Sequence, residues 1–237
     1  SREARGAASL ANAFDVINTT SWARTDLVLV PAELSRAGDR VRDAGGRMVP
    51  SQRLTTGELA VLVREVPPLS ARRFTVAPES SARPRVRVSA RPRVRASARP
   101  PAWPVVESDR LRLTMDTATG AIASLVWKPR GAELVDRSAR HGLGEYLYVL
   151  GKDSLAARGL SGVQFDGPLA PAPLVALRSF RAEAPGARGF TQEIRVVAGL
   201  DRVDLVLRFD KLPVREKEAV HVAFPFLVPG GQVRFDV

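Results

Sequence analysis

From residue 14 onward the chain is a succession of short apolar runs separated by Gly, Pro, Asp and Asn. Runs of about 4–8 residues bounded by turn formers predict strands. In the first third the candidates are Asp15–Ile17, Asp26–Val30, Arg40–Asp43, Glu58–Val63 and Arg73–Val76. Further on they are Arg110–Met115, Ile122–Trp127, Tyr146–Leu150, Gln192–Val197, Val203–Asp210, Val220–Phe226 and Val233–Phe235. Leu111, Leu113 and Met115 alternate with Arg110, Arg112 and Thr114, giving one oily face and one wet face, as in a half-buried antiparallel strand. The stretches DAGG (Asp43–Gly46), DTATG (Asp116–Gly120) and AGLD (Ala198–Asp201) supply residues that tolerate positive φ, as tight hairpin connections require. Only the Ala-rich residues 2–13 fit a short helical or irregular lead-in. The pattern predicts an all-β protein of antiparallel sandwiches.

One segment breaks the rhythm. Residues 81–100, SARPRVRVSARPRVRASARP, repeat almost identically every eight positions and hold seven arginines and no acid. In strand register the arginines share one face. Prolines at 84, 92 and 100 nevertheless lack the N–H that a central strand donates, and twenty extended residues would reach about 66 Å, far beyond a usual strand. The segment is therefore read as an extended, solvated connector with polyproline character. The expected organisation is a lead-in over 1–13, a small β-sandwich segment over 14–79, an Arg/Pro linker over 80–104 and a second, larger β-unit over 105–237. The repeat also accounts for seven of the eleven net positive charges, leaving +4 for the rest, an ordinary balance for domains of this size. Seven guanidinium groups would attract a polyanion in a salt-sensitive way, but no aromatic residues are interleaved to read bases; a nucleic-acid partner is disfavoured.

The chemistry-bearing residues are sparse. The chain has no cysteine, which removes disulfides and thiolate sites and leaves the compartment undecided. His141 and His221 lie eighty positions apart without metal-ligand spacing, and no GxSxG, P-loop or GxGxxG motif occurs. Asp201, Asp204 and Asp210 alternate with Arg202 and Arg208, a mixture typical of a wet sheet face. Asn18-Thr19-Thr20 matches the N-glycosylation acceptor pattern. No apolar run approaches the length of a membrane span. The absence of an initial Met and the ending inside a strand-like segment read as a piece excised from a longer polypeptide. In GEYLYVLGKD (Gly144–Asp153) two tyrosines one residue apart point to the same strand face, followed by a polar loop. That face either contacts sugar rings or covers a core.

The ordered stretches INTTSWARTDLVLVP, VRDAGGRMVPSQ and VPPLSARRFTV, then VESDRLRLTMDTATGAIASLVWKPRGAELVD, GEYLYVLGKD, TQEIRVVAGLDRVDLVLRFDK and KEAVHVAFPF, resemble the region that follows the catalytic barrel in glycoside hydrolase family 38, the α-mannosidases. The resemblance covers most of residues 14–237, with Gly144-Glu145 standing where relatives often carry Asn-Gln. It implies a β-sandwich followed by part of a mutarotase-like supersandwich. It also implies that the zinc, its His and Asp ligands and the nucleophilic Asp belong to an upstream domain that this chain lacks. The expectation is a chain with no catalytic residue and no cofactor of its own, zinc being held upstream, partnered by that catalytic domain and by carbohydrate. By the same analogy Tyr146, Tyr148, Lys152 and Asp153 are the candidate substrate-binding residues. The alternatives are a structural or adhesive sandwich, or polyanion binding through the repeat.

Overall fold

A computed structural model of the chain describes residues 12–78, 104–166, 173–228 and 230. The Arg/Pro repeat, nearly all of the lead-in and the candidate strand Val233–Phe235 lie outside the described residues. The protein is all-β: its strands pair antiparallel, and the described helical residues are two short 3-10 turns, Ala32–Ser35 and Ser154–Ala156. None of the described helices is long and apolar enough to cross a membrane. The chain divides into two compact units, one holding Ser1–Ala98 with Ala172–Leu174, the other Arg99–Pro171 with Val175–Val237.

The first unit contains β1 (Ala13–Asn18), β2 (Arg24–Val30), β3 (Arg40–Asp43), β4 (Met48–Val49), β5 (Ser51–Arg53), β6 (Leu59–Val66) and β7 (Ser70–Ala77). One sheet runs β1-β7-β3-β4 and the other β2-β6-β5. Val41, Phe74 and Val76 from the first sheet share a core with Val30, Leu59, Val61 and Val63 from the second, so the unit is a sandwich. Each such side chain removed from water contributes about 1.5–3 kcal/mol. The predicted DAGG turn joins β3 to β4. There the Asp43 carboxylate accepts from the Gly45 and Arg47 amides, both at 2.9 Å, and Gly46 takes φ +77°.

One side chain fastens the end of this sandwich. Asn18 is 4% exposed. Its Nδ2 donates to the carbonyls of Trp22 (2.7 Å), Val66 (3.0 Å) and Pro67 (3.0 Å). Its Oδ1 accepts from the Thr20 amide (3.0 Å) and hydroxyl (2.7 Å). The INTTSW loop and the VPPLS turn, forty-eight residues apart in sequence, are thus tied by one amide. Arg53 does the same work elsewhere, donating to Ser35 Oγ (2.6 Å) and to the carbonyls of Gly57 (2.8 Å), Ser35 (2.8 Å) and Gly38 (2.9 Å).

The second unit contains β8 (Val105–Glu107), β9 (Leu111–Met115), β10 (Ile122–Trp127), β11 (Ala132–Glu133), β12 (Tyr146–Leu150), β13 (Ser161–Phe165), β14 (Val175–Glu183), β15 (Ala187–Val197), β16 (Val203–Lys211) and β17 (Glu218–Val222). Its sheets run β11-β10-β9-β8, β13-β14-β15-β16 and β12-β17. Leu111, Leu113 and Met115 turn inward as predicted, and join Tyr146, Tyr148, Phe180, Phe190 and Ile194 in one core. The predicted strands are amended: β13 was not among them, and β15 begins at Ala187 and not at Gln192. The strand expected over Val220–Phe226 stops at Val222, because Pro225 has no amide hydrogen for a ladder; Phe226 keeps only an isolated bridge to Val135. The nine-residue β14 was not foreseen, since Arg178 and Arg181 interrupt its apolar alternation. The Arg178 guanidinium stacks 5.4 Å from the Phe165 ring centroid.

Replacing Asn18 by Ala strips the donor from three carbonyls, at least one of them buried, and is expected to lower stability by about 2 kcal/mol. Urea denaturation followed by tryptophan fluorescence measures this, and an unchanged midpoint would contradict the fastening role.

Candidate functional site

The four residues singled out in GEYLYVLGKD do not form a site together. Tyr146 is fully buried and Tyr148 is 3% exposed, because both lie on the inward face of β12. Tyr146 packs edge-on against Phe190 and Phe209, with ring centroids at 5.2 and 5.9 Å, and donates its hydroxyl to the Pro185 carbonyl at 2.7 Å. Tyr148 donates to Glu218 Oε2 at 2.6 Å. The Gly186 backbone approaches the Tyr148 ring so closely that a Cβ there would lie 2.3 Å from it. The expectation of ring faces open to a sugar is therefore corrected: of the two readings of this strand, the core-covering one holds. Lys152 and Asp153 are exposed in the following loop, where Asp153 Oδ1 accepts from the Leu155 amide at 2.8 Å and caps a 3-10 turn.

The other sequence candidates resolve as ordinary structure. Asp201 forms a bidentate pair with Arg110 (2.8 and 2.5 Å) and accepts from Trp127 Nε1 at 2.7 Å; the Arg110 hydrogen bonds hold its carboxyl below the usual range. Asp204 pairs with Arg202 at 2.8 Å. His221 is exposed on β17. The amide of Asn18, the formal glycosylation acceptor, is committed to the three carbonyls described above. Among the described residues no group of three or more His, Asp or Glu gathers where it could hold a metal ion.

What the structure does assemble is a cleft of about 610 Å³ in the second unit, within the size range of small-molecule sites. One wall is the β9–β10 hairpin, with Thr114, Asp116 and Ser124; its floor is Ile122 and Ala121. The opposite wall is the loop leaving β11 and the turn before β12, with Asp136, Arg140, His141 and Glu145. Reciprocal backbone hydrogen bonds between Ile122 and Leu143 (2.8 and 3.3 Å) stitch the walls together. Glu145 takes the Gly142 amide at 2.7 Å and faces His141 Nδ1 at 3.2 Å. A carboxylate only accepts, so Nδ1 carries the proton and a neutral His141 keeps Nε2 bare. A Cβ at Gly142 would lie 2.6 Å from the Ala121 side chain, which explains the glycine at this close approach.

Glu133, which bonds the cleft residues Ser124 and Arg137, was not foreseen. Its carboxylate accepts from Ser124 Oγ (2.6 Å), from the amides of Leu125 (2.8 Å), Leu134 (3.1 Å) and Val135 (3.1 Å), and from Arg137 Nη2 (2.6 Å). Burial alone would raise its pKa. The hydrogen bonds from Ser124, Leu125, Val135 and Arg137 outweigh burial and hold the carboxyl below its ordinary value.

No protein-family model matches the chain, and no curated protein does.

Because the folded Glu133 pKa is depressed, its stabilisation is present above the unfolded value and is lost as pH falls through the folded value. Glu133→Gln should flatten the acid limb of a stability–pH profile, and Glu133→Ala should cost about 2–3 kcal/mol at neutral pH; an unaltered acid limb would contradict the assignment. The chain has only two tyrosines, and both hydroxyls are pushed above the usual phenol value, Tyr146 by burial and Tyr148 by its bond to Glu218. A raised folded pKa stabilises the neutral form, so this contribution is intact below the unfolded pKa of about 10 and fades as pH rises through the folded value. Alkaline titration of phenolate absorbance should therefore stay flat near pH 10 and rise together with unfolding.

Proposed function

We propose that this chain is a non-catalytic β-sandwich region of an α-mannosidase-like glycoside hydrolase. It supports an upstream catalytic domain and contributes to carbohydrate binding. The supporting observation is where the motif residues of the resemblance lie: Asn18 of INTTSW reaches the carbonyls of Val66 and Pro67 in VPPLS, and Asp43 organises the turn of VRDAGGR. Residues spaced across the chain in the family's order are thus those that bind one sandwich together. The mutarotase-like character of the second unit is part of the same reading. The chemistry would be retaining hydrolysis of α-mannosidic bonds with zinc holding the sugar, all of it upstream.

The purely structural reading stands second, favoured by the burial of Tyr146 and Tyr148, which removes the aromatic sugar platform. The expected outcome is that the 237-residue chain alone does not turn over an aryl α-mannoside with or without zinc. A polypeptide carrying the upstream-encoded residues as well should do so, and should lose that activity when this region is deleted. Turnover by the isolated chain would overturn the division of labour.

A further inference from the structure

We propose that the cleft between the β9–β10 hairpin and the Val135–Glu145 segment is a binding site for a neutral polyhydroxylated ring, a pyranose or a similar cyclic polyol. The lining carries three carboxylates, Asp116, Asp136 and Glu145, against two guanidinium groups, Arg137 and Arg140, with His141 beside them. Arg137 is already paired with Glu133 at 2.6 Å, so the lining carries an excess of carboxylate. A phosphate or carboxylate entering it would meet that excess of like charge, whereas a neutral ligand would not.

Hydrogen-bonding capacity points the same way. Asp136 uses Oδ1 on the Ser138 amide and hydroxyl (2.9 and 2.6 Å), and Asp116 uses Oδ1 on the amides of Ala118 and Thr119 (2.7 and 3.3 Å). The Ala139 amide also bonds the Asp136 carboxylate, while both contacts of Asp116 fall on Oδ1 and leave Oδ2 as an acceptor. Arg140 spends one nitrogen on the Leu155 carbonyl at 2.8 Å and has no carboxylate partner among the described residues. The cleft therefore presents spare acceptors and spare donors over an apolar floor. Each hydroxyl of a polyol is donor and acceptor at once, so vicinal hydroxyls match such a lining. The walls are already fixed by the Ile122–Leu143 pairing and by Glu133, which lowers the ordering cost of binding.

The location and polarity of this site rest on the cleft alone. The preference for a sugar over other polyols rests on the carbohydrate reading above. The test is amide chemical-shift titration of the labelled full chain with methyl α-mannopyranoside, myo-inositol and mannose 6-phosphate, in the native chain and in Asp136→Asn and Arg140→Ala. Arg140 is exposed and Asp136 half-buried, and amide spectra report whether each variant is folded. The expected result is saturable shifts confined to residues 114–124 and 135–145 with at least one neutral ring. Affinity should fall by about tenfold in either variant, and the phosphate should bind no tighter than the mannoside. Inositol binding without mannoside binding supports the site and counts against the carbohydrate reading. Mannoside shifts lying elsewhere keep that reading and overturn the site. No saturable shifts with either neutral ring, unchanged affinity in both variants, or tighter binding of the phosphate also overturns it.

Discussion

A backbone group that leaves a β-ladder must find another partner or pay for its desolvation, and in a chain with almost no helix this constraint falls on the loops. Here a few side chains carry it. Asn18 satisfies three carbonyls at one end of the first sandwich, and Arg53 gathers Ser35, Gly38 and Gly57 beneath another loop. Glu133 takes three amides where β11 ends. All are long or branched polar groups with several donor or acceptor positions, so one residue can fasten two or three segments. The apolar cores supply the bulk of the stability; these groups decide which loop conformations accompany it.

That distinction explains what was legible in the sequence. Period-two patterning places Arg40–Asp43, Ile122–Trp127 and Tyr146–Leu150 with their observed limits; the last two are largely apolar runs stopped by Lys128 and Gly151, and the first ends at the DAGG turn. The turns DAGG and DTATG were equally readable, since positive φ leaves a residue-type signature at Gly46 and Gly120. β14 was hidden because Arg178 stacks on an aromatic ring instead of turning to water, and a one-dimensional pattern cannot separate those fates. The tyrosines of β12 show the reverse error: the pattern identified their shared face but not which side of the strand carried the core.

The cleft was illegible for a different reason. Its walls come from residues up to thirty-one positions apart, and the Ile122–Leu143 bridge that joins them depends on how the β9–β10 hairpin meets the turn before β12. His141 and Glu145 lie four apart, a spacing that suggests a shared helical face, yet here they meet across a turn. Glu133 is a lone acid with no spacing motif around it. Its importance follows from the number of amides that converge on it, a property of the folded chain only.

The commitment of the Asn18 amide also bears on how the chain is made. In a glycosylating secretory host, oligosaccharide transfer to Asn-Thr-Thr acts on the emerging, unfolded polypeptide. A sugar on Nδ2 would replace one of the two hydrogens that reach Trp22, Val66 and Pro67 and would place a bulky polar group where the loop and turn close. Modification and folding would then compete for the same nitrogen. The choice of expression host becomes a choice between a chain that can close its first sandwich and one that is barred from doing so at birth.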